Sequence, residues 1–298
     1  MRNISMGFYT NFSAQINAFI KSIATEKNEW IIKGFIDIYK RIYPMTSDTK
    51  VVSKIIELML FPEIVRFGDK FDYEIFPAEE QNHYPDISFK NEKRNELIAV
   101  DIKSTYRKNS SSINGMTLGA FTGYFRSRDT TKNIRFPYNK YSAHYVLGVI
   151  YTRNEQSSEV FSKEMKNYEL NELLNVPSVV SDFQIFLQEK WRIASDKPGS
   201  GNTKNIGSTK NIQRMVEGRG IFSKLGKEAF DDYWTNYLTN DMAKAIDSNK
   251  PYTNINEYLE WRNKIDLDGV DLEEIRTISK EDSVDDEKEE ESEKLNLL

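Results

Sequence analysis

Cysteine is absent from this 298-residue chain, and histidine occurs twice, at His83 and His144. A disulfide framework is therefore excluded, and a zinc site of the Cys/His kind nearly so, since neither histidine has the companion ligands a soft-metal site needs. Both histidines are read as hydrogen-bonded structural residues. Any metal would be a hard cation held by oxygen ligands. No apolar run reaches the roughly 20 residues that a membrane span requires. The opening MRNISMGFYTNFSAQ also lacks the basic-then-apolar layout of a signal peptide. The expected location is the cytoplasm, with no membrane partner.

Charge is plentiful but unevenly placed. Residues 271–298 hold 12 acidic and 4 basic residues, net −8, which leaves residues 1–270 with 37 basic against 34 acidic, net +3. The expectation is one domain over 1–270, mildly basic, followed by an acidic tail over 271–298, disordered or loosely helical.

The apolar spacing Phe12, Ile16, Phe19, Ile20, Ile23 predicts an N-terminal helix, and EWIIKGFIDIYKRIYP predicts a strand or hairpin. A helix follows, with Ser47 or Asp48 as cap and with Pro62 expected to kink or end it. The segments FDYEIF, DISF and LIAVDIKSTY, separated by short polar turns, predict an antiparallel meander. YSAHYVLGVIYTR and FQIFLQEKWRIAS read as buried strands, DKPGSGNTKNIGS as a loop, and FSKLGKEAFDDYWTNYL and NINEYLEWRNKI as helices. Helices and strands without regular alternation indicate a mixed α/β or α+β fold.

The chemistry concentrates in AVDIKSTY, residues 99–106. Read with period two, Ile98, Val100 and Ile102 face one way, while Ala99, Asp101, Lys103 and Thr105 face the other. Asp86 follows Pro85 at the opening of the preceding strand, so pairing of the two strands would bring Asp86 and Asp101 to one end of the sheet beside Lys103. Carboxylates that close repel, and a divalent cation, magnesium above all, relieves the repulsion. The bland alternative is a half-exposed Asp–Lys pair worth roughly 0–1 kcal/mol.

These residues do not stand alone. TSDTKVVSKIIEL, QNHYPD, VDIKSTY, TLGAFTGYFR, TKNI, FLQEKW and GSGNTKNIGS occur in an order and at a spacing that resemble the type II restriction endonucleases of the PD-(D/E)xK nuclease superfamily, from about Tyr43 to about Arg262. The resemblance implies a restriction-endonuclease-like fold, a central mixed β-sheet flanked by helices. It implies Asp86 and Asp101 as metal-binding carboxylates, Lys103 as the catalytic lysine and Glu57 as an acidic residue tied to a second metal position. Thr49, Lys50, Ser104, Thr105, Lys132 and Asn205 resemble contacts to the DNA backbone, and Gln81 and Asn82 belong to a minor-groove loop. Glu80 and Lys204 depart from the family pattern, where a glutamine and a threonine are found.

Gly199, Ser200, Gly201, Asn202 and Thr203 resemble the loop that reads bases in the major groove. Glycine lets the backbone approach base edges, asparagine suits the N6/N7 edge of adenine, and threonine offers a methyl to thymine. The implied activity is magnesium-dependent hydrolysis of double-stranded DNA at a short palindrome, GATATC with blunt cutting, leaving 5′-phosphate and 3′-hydroxyl ends. A palindrome demands a homodimer, with contacts near residues 30–45, and the family implies a cognate DNA methyltransferase. The alternatives are a differently specific repair nuclease of the same fold and a DNA-binding module that has lost cleavage.

Overall fold

The computed structural model describes residues 2–80, 82–154, 167–199, 204–262 and 271–282. The chain opens with two helices, α1 (Arg2–Ser13) and α2 (Ile16–Ile23), where a single one is expected. Phe8 and Phe12 of α1 stack at 5.3 Å, and Phe12 meets Phe67 edge-on at 4.7 Å. Strands β1 (Gly34–Ile36) and β2 (Ile42–Pro44) then form an antiparallel hairpin in the segment read as one.

Helix α3 (Thr49–Lys70) begins at Asp48, whose carboxylate accepts hydrogen bonds from the backbone N–H groups of Lys50 and Val51. Pro62 neither ends α3 nor divides it. Proline forfeits one backbone hydrogen bond, and the buried side chains of Ile56, Leu60, Ile64 and Phe67 on either side hold the helix to the sheet regardless.

The central sheet has five strands in the order β3 (Glu74–Pro77), β4 (Ile87–Asn91), β5 (Glu96–Tyr106), β7 (Ala143–Arg153) and β8 (Val180–Glu189). The first three form the expected antiparallel meander, whereas β5 and β7 run parallel. The crossover between them carries β6 (Thr117–Ala120). That strand heads a second sheet, ordered β6-β10-β9, with β9 at Ala194–Pro198 and β10 at Asn205–Ser208. FQIFLQEKWRIAS is therefore not one strand: β8 stops at Glu189, Lys190–Ile193 make a helical turn, and β9 starts in the other sheet.

The alternation in β5 sorts the two cores. Ile98 and Val100 pack under α1–α3 with Phe8, Val52, Leu60 and Leu147. Ala99 faces the opposite cluster, which includes Leu118, Phe121, Val146, Phe186 and Trp234. Asp101 and Lys103 follow Ala99 onto that second side, where β6, β9 and β10 stand.

The expectation of disorder from residue 271 onward is corrected over 271–282. Residues 272–282 are helical, Ile275 and Ile278 are buried in the same cluster as Trp234, and Ser279 and Asp282 are buried with them. The acidic composition hid an apolar pair at i, i+3. Residues 283–298 lie outside the described residues. No described helix is long and apolar enough to cross a membrane.

Candidate active site

Ile87 of β4 lies opposite Val100 of β5, so the antiparallel register brings Asp86, one residue before β4, alongside Asp101. Asp86 Oδ2 accepts a hydrogen bond from the backbone N–H of Ile102 at 2.6 Å. Lys103 Nζ stands 2.7 Å from Asp101 Oδ2 and 3.7 Å from Asp86 Oδ2. Asp86, Asp101 and Lys103 line a cleft of about 490 Å³, together with Asn82, Lys132 and Asn205.

The electrostatics follow from this crowding. Burial, and then the charge of Asp101, push the Asp86 carboxyl up to about 7, against the opposing pull of Lys103. Burial alone would lower the Lys103 ammonium, but Asp101 and Asp86 reverse that and hold it above the ordinary lysine range. An acid that resists ionising next to a lysine that resists deprotonation describes a site short of positive charge. Two hard oxygen donors opening onto a solvent cleft fit a magnesium ion that keeps several waters.

Glu57 does not join them. It sits on α3 one residue past the buried Ile56, pairs with Lys54 at 2.7 Å, and its side chain is 37% exposed. Among the described residues no group of three acidic or histidine side chains converges as a metal site.

The other residues of the sequence reading divide. Asn82, Lys132 and Asn205 line the cleft; Thr49, Lys50, Ser104 and Thr105 are not among its lining residues. Thr49 and Lys50 form the first turn of α3. The Ser104 hydroxyl shares a hydrogen bond of 2.7 Å with that of Ser53, tying β5 to α3, and Thr105 is buried. Gly199 N–H donates to the Asn205 carbonyl at 3.0 Å, which closes the neck of the loop between β9 and β10. A Cβ on Gly199 would lie 2.6 Å from Thr117 Cγ2, so this neck is packed against β6 too closely for a side chain. Gln81 and residues 200–203 lie outside the described residues.

One charged neighbour of the cleft escaped sequence reasoning. Lys190, in the quoted FLQEKW, is buried beneath the cleft with its ammonium 5.0 Å from the ring of Tyr84, 5.5 Å from Phe125 and 5.8 Å from Tyr138. Burial pulls it down to about 8, while the charge of Asp101 resists. A lysine inside a dense apolar run was the available signal. His144 is structural as expected: its Nδ1 lies 2.9 Å from the Tyr84 hydroxyl and its ring stacks on Tyr138 at 3.9 Å. Burial keeps it well below the usual histidine range, and so neutral.

Comparison with known proteins shows the family. The family model described as restriction endonuclease EcoRV matches residues 26–263. The type II restriction enzyme EcoRV of Escherichia coli is 39% identical over 246 residues, spanning 81% of this chain and 95% of that enzyme. With a match of that extent, the chain belongs to the EcoRV family of type II restriction endonucleases, enzymes that cut DNA site-specifically.

Proposed function

We propose that this enzyme works as a homodimer, hydrolysing both strands of the palindrome GATATC with magnesium as cofactor and leaving blunt ends with 5′-phosphates and 3′-hydroxyls. The observation that carries the reading is the convergence of Asp86, Asp101 and Lys103 on one cleft beside Asn82, Lys132 and Asn205.

Phosphodiester hydrolysis asks for a barrier reduction on the order of 20 kcal/mol. Asp86 and Asp101 would hold the ion, which would supply a nucleophilic water at neutral pH and offset charge on the phosphate oxygens. Asp86 is fixed by the Ile102 N–H, so its geometry is set before substrate arrives. Lys103, held protonated by its two carboxylate neighbours, orients the attacking water and stabilises the added negative charge on phosphorus. A cation held so firmly is a poor general base. Asn82, Lys132 and Asn205 meet the sugar-phosphate backbone and the minor groove; Gly199–Thr203 read base edges. Thr49, Lys50, Gln81, Ser104 and Thr105 remain backbone or minor-groove contacts on family grounds. The central TA step favours the target because it kinks readily.

Dimerisation is supported by the β1–β2 hairpin, where Phe35, Ile36, Ile38 and Tyr39 are 55%, 59%, 88% and 70% exposed. Apolar side chains clustered so openly mark an association surface. The enzyme would act on DNA in the cytoplasm, with host DNA protected by a cognate methyltransferase.

The test is cleavage of a plasmid bearing a single GATATC site, with magnesium, beside an Asp101→Ala control, followed by sequencing of the ends. Blunt cutting at that site, lost in the control, bears the reading out. Cutting elsewhere overturns the assigned target, and no cutting overturns the enzymatic assignment.

A further inference from the structure

The family match ends at residue 263, yet the helix at residues 272–282 is fastened to the part of the molecule that presents the base-reading loop. The Ser279 hydroxyl donates to Asp196 Oδ2 at 2.8 Å, and Asp196 lies in the middle of β9. On the other stalk, Asp282 Oδ1 accepts from the Thr209 hydroxyl at 2.9 Å and from the Lys210 backbone N–H at 3.3 Å, directly after β10. One short helix therefore grips both strands that flank the loop.

These contacts are buried. Ser279, Asp282, Asp196 and Thr209 are all at most 5% exposed. The grip is also seated: Ile275 and Ile278 sit in the core with Trp234 and Tyr258, while Glu281 pairs with Arg214 at 2.6 Å and Glu274 with Lys224 at 2.9 Å. Asp196 also accepts from the Ile255 N–H at 2.8 Å, so the helix at Ile255–Arg262 meets the same carboxylate.

A hydrophobic helix alone would suffice to cover the core. Two buried carboxylates, each with one oxygen left without a hydrogen-bond partner, are a costly way to do it, and such polar contacts specify geometry more than they add stability. What they specify is the spacing of β9 and β10. Asn205 at the start of β10 lines the cleft, and β10 pairs with β6, whose Gly119 and Ala120 also line it. The spacing is thereby coupled to both the loop and the cleft.

We infer that residues 272–282 form a brace holding the stalks of the base-reading loop at a fixed separation, with Ser279 and Asp282 as positioning residues for sequence discrimination. The inference rests on the proposed role of that loop. A loop on loosened stalks would still meet DNA but would penalise a wrong base less.

The test uses the full chain with Ser279→Ala, Asp282→Ala and Asp282→Asn. Asparagine keeps an oxygen to accept from Thr209 and Lys210; alanine does not. Hydrogen exchange in the free protein reads the brace directly. Alanine variants should speed exchange in 194–198 and 205–210 but not in 98–106, and Asp282→Asn should restore protection. Cleavage kinetics at GATATC and at sites differing by one base should show the discrimination in kcat/KM falling about tenfold in the alanine variants, again restored by asparagine. Unchanged exchange and discrimination overturn the brace, as does faster exchange throughout the molecule. If the parent enzyme cuts no DNA or ignores sequence, the reading of the loop fails, while exchange still decides whether the stalks are braced.

Discussion

The molecule holds two pairs of aspartates, and they do opposite things. Asp86 and Asp101 stand at the edge of a cleft with a lysine between them. Asp196 and Asp282 are enclosed by hydroxyls and backbone N–H groups. Burial raises Asp86 and Asp282 alike, each to about 7, with a neighbouring aspartate adding to it in both cases. A perturbed acid is thus no mark of catalysis by itself. What separates the pairs is access: one keeps room for water, an ion and a phosphate, and the other is sealed inside the fold.

The comparison breaks most visibly at the cleft. Asp101→Ala or Lys103→Ala should lower single-turnover cleavage by about a thousandfold or more, whereas Asp282→Asn should leave cutting at the target intact. The basic limb of the pH–rate profile should survive Lys103→Arg, because a lysine held above its ordinary range does not titrate there; loss of that limb would make Lys103 the base.

Stability should respond next. Asp86 stands near 7 when folded against an ordinary value of 3.8. The metal-free fold therefore holds more protons than the unfolded chain between these values, and it loses stability as pH rises through that window. Asp86→Asn should raise the metal-free Tm above pH 7 while abolishing cleavage. A lower Tm would mean that the pairing with Lys103 outweighs burial.

Asp282→Asn carries the same sign through the same window, again from 3.8 to about 7. Its scans should show a flatter dependence of Tm on pH between those values, and a higher Tm than the parent at pH 8. The change should be of similar size, since both carboxyls move from 3.8 to about 7 on folding. Smallest of all, Glu57→Gln should change the single-turnover rate by less than about threefold, the scale of an exposed ion pair. A loss of a hundredfold would restore Glu57 to the metal site.

The cleft was legible because its logic is local. Asp86, Asp101 and Lys103 belong to neighbouring strands joined by a short loop, so alternation and register together predict their meeting. Glu57 was harder: a helix places a residue by its angle, and one position past Ile56 turned it outward. Lys190 could not be assigned a place, since nothing local reveals that β8 ends at Glu189 and that the chain changes sheets. The brace was misread for a similar reason. In 271–282 the charge count is visible at once, while the partners that bury Ile275, Ile278, Ser279 and Asp282 lie on β9, near β10 and on distant helices.

The parallel pairing of β5 with β7 has an evolutionary consequence. Parallel neighbours cannot be joined by a tight hairpin, so the chain must leave the sheet after Tyr106 and return at Ala143. Much of the cleft wall, from Gly119 to Asn133, is made from that obligatory excursion. Exchanges at its exposed cleft positions, such as Ser127 and Lys132, can remodel what the cleft admits without shifting the strand register that aligns Asp86 with Asp101. The fold separates the part that must stay constant from the part free to diversify.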